Sequence, residues 1–240
     1  MDFRNSYEDE AYAAAYAKLE FPGTYYLAFR DLAEIFSRHV RGRAALDIGC
    51  GAGRSTRFLR KHGFDAVGAD ISEEMVRRAR AIDPEGDYRL VPDGDLSPFA
   101  AGTFDLVFSA FTFDNIPTQA KKVRLFRELA RVAKADGRIV NLVSSPEIYV
   151  NEWASFSTKD FPENRSARRG DTVRIIVTAL DDKRPAVDVF WPDEAYRDVY
   201  AQSGLRVIET HRPLGRDDEP FEWVNETTIA PWVIWVLRKI

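Results

Sequence analysis

Ala44-Ala45-Leu46-Asp47-Ile48-Gly49-Cys50-Gly51-Ala52-Gly53-Arg54-Ser55-Thr56 is the stretch of this 240-residue chain that decides its fold. A short apolar run, Ala44–Ile48, enters three glycines at alternate positions, and a helical pattern follows from Arg54 to His62. Glycine lets a turn between strand and helix pass a ligand without a Cβ collision. The helix beyond it begins with unpaired amides and a positive dipole end. Many nucleotide sites share that turn, so its spacing matters more than its existence. Counted from Gly49, the dinucleotide pattern G-x-G-x-x-G fails at Arg54; counted from Gly51, it fails at Thr56. Asp47, near the end of the strand, is badly placed for a pyrophosphate and well placed for a ligand's ammonium group.

Moving outward, the strand–helix alternation repeats. Ala66–Ala69 reads as a second strand closed by Asp70, where an acid in a doubly wound fold accepts hydrogen bonds from ribose hydroxyls. Ser72, followed by Glu73 and Glu74, opens a helix. Tyr88–Val91 reads as a third strand, and the following Asp93-Gly94 offers a carboxylate to an exocyclic amine. Phe104–Ser109 is a fourth strand, Thr118–Ala133 a long helix and Arg138–Val143 a fifth strand. Short apolar strands alternating with helices imply a parallel sheet covered on both faces. Acids after three successive strands suit an adenosine that carries a cationic amino-acid tail.

The flanks differ from this repeat. Residues 1–42 read as a helical cap: one helix over Tyr7–Leu19, a break at Phe21-Pro22-Gly23 and a second helix begun at Thr24. Residues 43–145 form the ligand-binding core, and 146–191 an insertion that includes a hairpin from Thr172–Leu180 and Ala186–Trp191. Residues 192–240 supply a helix and two closing strands, Leu205–Glu209 and Trp232–Leu237.

The run Ala45–Thr56 resembles the first motif of the class I S-adenosylmethionine-dependent methyltransferases. Asp70-Ile71-Ser72-Glu73-Glu74-Met75 resembles the second, and Asp93–Phe99 followed by Phe104–Ser109 the third and fourth. The resemblance covers about residues 43–145 and extends to the last two strands. It implies an α/β, Rossmann-like, doubly wound sheet of seven strands, mostly parallel with the last one antiparallel. The implied cofactor is S-adenosyl-L-methionine, with S-adenosyl-L-homocysteine as product. Gly49, Gly51 and Gly53 are then expected beside the methionine moiety, Asp70 at the ribose, and Asp93 with Gly94 at adenine. Ile71 and Met75 would pack on the nucleoside, Ser109 would close the pocket after strand four, and Asp47 would contact the ligand or orient the turn.

Methyl transfer from a sulfonium needs positioning and desolvation more than a general base, so no catalytic residue is expected to stand out. Asp114, Glu147 and His211 are the proton acceptors near predicted strand ends. Tyr16, Tyr26, Phe113, Asn115, Trp153 and Trp191 are candidates to line an acceptor pocket, because aromatic rings can enclose a planar or apolar molecule. No Asn/Asp-Pro-Pro-Tyr-like sequence follows strand four, which favours a small-molecule acceptor over a macromolecule, and the aromatic flanks favour a planar heteroaromatic one. The net charge of −4 gives no general attraction for nucleic acid, and no apolar run is long enough for a membrane span. The first ten residues lack the apolar core of a secretory signal, so a cytoplasmic location is expected. A single cysteine and three scattered histidines predict neither a disulfide nor a metal site. Two other readings compete: a non-catalytic methyltransferase-like ligand-binding module, and an NAD(P)-dependent oxidoreductase, which lacks its glycine spacing. The acceptor's identity and the oligomeric state are left open.

Overall fold

Alternation of buried side chains along the strands determines how the layers assemble. The computed structural model describes residues 21–240; the predicted helix Tyr7–Leu19, with Tyr16, lies outside the described residues. Helices α1 (Thr24–Arg30) and α2 (Leu32–His39) precede β1 (Ala44–Ile48), α3 (Arg54–Lys61), β2 (Asp65–Asp70), α4 (Glu73–Ile82) and β3 (Asp87–Leu90). Then come β4 (Phe104–Ala110), α5 (Gln119–Val132) and β5 (Ala133–Ser144). Strands β6 (Phe156–Ser157), β7 (Thr172–Val177) and β8 (Ala186–Val189) form a separate three-stranded sheet. Helix α6 (Asp193–Gln202) and strands β9 (Leu205–His211) and β10 (Trp232–Lys239) close the chain.

The main sheet has the order β3-β2-β1-β4-β5-β10-β9. Strand β1 lies parallel to both β2 and β4, while β10 is antiparallel to both β5 and β9, so one strand runs against the other six. Successive side chains of a strand face opposite ways. Accordingly Ala45, Leu106, Phe108, Val140 and Leu142 pack with Leu27, Leu32 and Ile35 of the first two helices. Leu46, Ile48, Val107, Ile139 and Val143 pack instead with Phe126 and Leu129 of α5 and with Tyr196 and Val199 of α6. Strand order reverses between β1 and β4. Connections leaving their carboxyl ends diverge there, and the crevice between them is where such sheets take ligands.

Local departures from the sequence reading have identifiable causes. The second cap helix is interrupted at Asp31, whose carboxylate is held by Arg30 and by His211 Nε2 at 2.8 Å. Strand β5 begins five residues early because Ala133 pairs with Phe104, after which a bulge restores pairing at Leu106 and Arg138. The hairpin forms as β7 and β8, with Phe156 and Ser157 adding a third strand. Among the described residues, no helix is long and apolar enough to cross a membrane. None of the described histidines, cysteines, aspartates or glutamates group in threes as a metal-binding set.

Candidate active site

At the β1/β4 reversal, the glycine turn and the segments after β2, β3 and β4 surround a cavity of about 410 Å³. Gly49 and Gly51, both at positive φ (68° and 53°), form its floor. A Cβ on Gly49 would collide with the Thr112 side chain, whose hydroxyl donates to the Ile48 carbonyl at 2.9 Å. A Cβ on Gly51 would meet nothing within 4 Å, so the chain presents bare backbone to the cavity there. Asp70 locks this floor in place: one carboxylate oxygen accepts from Gly51 N at 2.8 Å and the other from Ser72 N at 2.9 Å. Burial raises the pKa of Asp70, while those backbone amides oppose the shift.

The remaining walls are mainly apolar. Ile71 is 56% exposed beside the opening, and Met75 is buried on α4, held in place where Ser72 Oγ accepts from its amide. Val91, Leu96 and Ile116 add to this slot. Asp93 and Gly94 stand at the rim, where the Asp93 carboxylate pairs with Lys121 at 3.0 Å. The turn, Asp70, Ile71, Met75, Asp93 and Gly94 are thus brought together around one volume.

Three residues assigned to the cofactor do not line it. Asp47 is fully buried, and its Oδ2 accepts from Ser55 and Thr56 hydroxyls, each at 2.6 Å, tying the end of β1 to the start of α3. Its role is to orient the turn from behind. Gly53 sits under the Tyr88 ring, where a Cβ would overlap the phenol. Ser109 is fully buried on β4, between β1 and β5, and does not line the cavity.

Asp47 gives a clean test of the turn's electrostatics. Burial pushes its pKa up to about 7, against the pull of the two hydroxyls. Its ionised form is therefore dearer in the folded chain than in the unfolded one. Its favourable contribution is complete below the unfolded pKa and is lost as pH rises through about 7. A displacement of that size is worth on the order of 4 kcal/mol at most. In urea denaturation between about pH 4 and pH 8, Asp47→Asn is expected to gain stability relative to the parent as pH rises. A gap that stays constant across that range would contradict this account.

A second, smaller recess of about 30 Å³ adjoins the first, and Phe111 and Asn115 line both. Among the described residues, Phe111 is the only non-glycine with positive φ, at 63°, a conformation that costs about 1–3 kcal/mol. Rings of Tyr25, Phe156 and Trp232 enclose the recess, with Trp232 4.9 Å from Phe111 and 5.6 Å from Phe156. Asp114 and Asp188 also line it. Asn115 Oδ1 is buried without a hydrogen-bond partner, as expected of a group awaiting a ligand.

Of the acceptor-pocket candidates among the described residues, only Asn115 lines either space. Phe113 is stacked on Phe126 at 4.0 Å in the core. Trp153 is buried and donates to the Ile148 carbonyl at 2.9 Å. Trp191 packs between Lys122 and Arg169, and Tyr26 rests against Phe221. Large rings gain most by burial, and Phe113, Trp153 and Trp191 are buried while Tyr26 is half-buried. Of the candidate proton acceptors, His211 is taken by Asp31 and Glu147 lies 3.8 Å from Arg212, outside the recess; Asp114 alone lines it. Tyr25 belongs to the aromatic stretch before the core; no motif marks Trp232, and the only sign of Asp188 is its polarity in the otherwise apolar strand Ala186-Val187-Asp188-Val189.

Comparison with known proteins agrees with this geometry. The methyltransferase domain family matches residues 46–141. The 2-methyl-6-phytyl-1,4-hydroquinone methyltransferase of Synechocystis sp. is 34% identical over 119 residues, 47% of this chain and 36% of that protein. The 18S rRNA (guanine-N(7))-methyltransferase bud23 of Schizosaccharomyces pombe is 38% identical over 105 residues, 40% of this chain and 39% of that protein. The chain therefore spans less than half the length of either relative. In fold, it is similar to an S-adenosylmethionine-dependent methyltransferase from Mesorhizobium loti, with a TM-score of 0.63 and 20% identity over 88% of this chain and 98% of that one. The matched domain begins inside β1 and ends inside β5, so the part of the chain that is similar to the methyltransferase domain family contains the whole glycine turn and both acids at the cavity.

Proposed function

We propose that this chain is an enzyme that moves the methyl group of S-adenosylmethionine onto a nitrogen or oxygen of a small-molecule acceptor by in-line displacement. The observation that carries the reading is the pair of adjoining spaces: a nucleoside-sized cavity on the glycine turn, and a small aromatic recess joined to it at Asn115. The exposed backbone of Gly49 and Gly51 would receive the amino-acid end of the donor. Asp70 retains lone pairs for the ribose, and Ile71 and Met75 flank the nucleoside beside Asp93 and Gly94. When bound, the donor supplies a methyl carbon made electrophilic by a positively charged sulfur. The chain's own work is to hold the acceptor atom opposite that sulfur and to keep water out.

The size of the recess supports a small acceptor. A space of about 30 Å³ is close to one water's share of liquid volume, so it admits one small head group. The rRNA-modifying relative keeps a nucleic-acid substrate in view, and the recess size argues against it. An oxidoreductase reading still lacks the dinucleotide glycine spacing.

Calorimetry with S-adenosylmethionine, S-adenosylhomocysteine and NAD tests the donor. Both sulfur ligands are expected to bind and NAD is not; preference for NAD would overturn the proposal. Measured turnover separates an enzyme from a ligand-binding module. Asp70→Asn leaves one acceptor oxygen for two backbone amides. It is therefore expected to lose about tenfold or more in donor affinity and also about 1–2 kcal/mol of stability. Asp70→Ala should weaken folding as well as binding, because the carboxylate braces the turn before any ligand arrives.

A further inference from the structure

Two carboxylates line the acceptor recess, and among the described residues one buried ammonium stands near them. Asp114 is buried, with Oδ2 accepting from Ser144 N at 3.0 Å and Oδ1 near the Tyr196 hydroxyl at 3.5 Å. Asp188, on β8, accepts from the Tyr149 hydroxyl at 3.1 Å, its one hydrogen-bond donor among the described residues. The compensating cation is Lys122, fully buried on α5. It donates to the Phe113 carbonyl and sits over the rings of Trp191 and Tyr196 at 4.7 and 5.3 Å. Among the described residues two carboxylates thus share one ammonium, and burial favours the protonated form of Asp188 while the recess is empty. Buried charge of that kind is costly unless it is paired or holds a proton.

The surroundings indicate what would pair with it. The recess is walled by the electron-rich faces of Tyr25, Phe156 and Trp232, which attract cations, and Asn115 Oδ1 is an unpartnered acceptor between the two spaces. The lining's acceptors are the two carboxylates and Asn115 Oδ1; the Ser144 hydroxyl serves Asp114 and the Tyr149 hydroxyl serves Asp188. A phenol or alcohol offers that lining one O–H donor. An amine offers several N–H donors and, as its ammonium ion, a positive charge beside Asp188.

Resting on the methyltransferase reading above, we propose that the acceptor is an amine whose ammonium head group enters the recess, pairs with Asp188 and gives that carboxylate a proton before methyl transfer. The N–H bond breaks as an O–H bond forms on Asp188, and the electron pair left on nitrogen becomes the nucleophile. The proton moves within the pair, so no other reactant is needed. Asn115 Oδ1 accepts from a remaining N–H and turns the lone pair toward the donor cavity. Burial raises the proton affinity of both Asp114 and Asp188, which brings the accepting carboxylate closer to the basicity of an amine.

Ligand-observed NMR on protein saturated with S-adenosylhomocysteine tests this, with methylamine, ethylamine and benzylamine each set against the alcohol of the same skeleton. Amines are expected to bind about tenfold or more tightly than their alcohols, and Asp188→Asn to reduce that preference to within about twofold. Asp188→Asn keeps the Tyr149 contact and removes a buried charge, so it should fold. Unchanged S-adenosylhomocysteine affinity in the variant reports that it has, and Asp114→Asn provides a second substitution in the same wall. Equal binding of amines and alcohols, no amine binding at millimolar concentration, or a preference that survives both substitutions overturns the amine assignment. Failure of S-adenosylhomocysteine to bind the parent would overturn the methyltransferase reading itself.

Discussion

Gly51→Ala is expected to leave the fold standing while lowering affinity for S-adenosylmethionine about a hundredfold, whereas Gly49→Ala is expected to damage the fold itself. Both residues have positive φ, so a side chain at either pays the left-handed penalty of about 1–2 kcal/mol. They differ in what the new methyl group meets. At Gly51 it meets open cavity, so stability loses little beyond that penalty. The methyl then occupies the place where a ligand would lie against bare backbone, and a hundredfold loss corresponds to about 2.7 kcal/mol. At Gly49 the methyl is driven into Thr112, which must move and give up its hydrogen bond to Ile48. Strain and overpacking together should cost about 3 kcal/mol or more. Urea denaturation and calorimetry on both variants separate the two effects. Similar losses in both measurements for both variants would show that the glycines serve the turn's shape alone. Donor affinity unchanged in Gly51→Ala would remove the turn from the binding site.

Legibility in the sequence follows the range over which a feature is built. Strand β1 was readable to its limits, Ala44–Ile48, because both faces are buried and glycines end it abruptly. Asp70, Ile71 and Met75 were readable as cavity residues because the turn and the next strand end lie within about one helical repeat of one another in a fixed motif. The start of β5 was hidden, since Lys134, Asp136 and Gly137 read as loop and only pairing with Phe104 makes them strand. Asp47 and Gly53 belong to the same motif as Gly51, yet a motif does not reveal which face of the turn a side chain takes. Here Asp47 turns toward the Ser55 and Thr56 hydroxyls, and Gly53 makes room for Tyr88.

The acceptor side is assembled from residues as distant as Tyr25, Asn115, Asp188 and Trp232, and no periodicity links them. Composition suggests an aromatic wall; the rings around the recess are Tyr25, Phe111, Phe156 and Trp232, not the expected Tyr26, Phe113, Trp153 and Trp191. Tyr25 and Tyr26 are neighbours on a helix, about 100° apart around its axis, so one faces the recess and the other packs on Phe221. Trp153 and Trp191, the largest rings of the insertion, were captured by the core. Lys122 fell on the apolar side of α5, where sequence gives no hint that Asp114 and Asp188 would be waiting for it.

Glu226→Ala is expected to have the largest effect on stability, about 5 kcal/mol, and to disrupt the acceptor side first. Glu226 is fully buried. Its Oε1 accepts from the Thr24 hydroxyl and from Ala154 N, each at 2.7 Å, and its Oε2 from Val224 N at 2.8 Å and Asn225 N at 3.1 Å. One carboxylate thus joins the start of α1, the insertion and the segment before β10. Its removal strands four donors, one buried and three part-buried, and hydrogen bonds to a charged group are worth about 1.5–3 kcal/mol each, with the sum limited by relaxation and entering water. Glu226→Gln keeps an acceptor on one side and turns an NH₂ toward amides on the other, so it should fall between Ala and the parent. Thr24 precedes Tyr25, and Ala154-Ser155 precedes Phe156, so two of the rings that wall the recess are anchored through this carboxylate. None of its hydrogen-bond partners among the described residues lines the larger cavity at the ends of β1 to β4. In protein that remains folded, the acceptor KM should therefore rise while S-adenosylhomocysteine affinity holds; a parallel loss of both would mean that Glu226 supports the sheet as a whole.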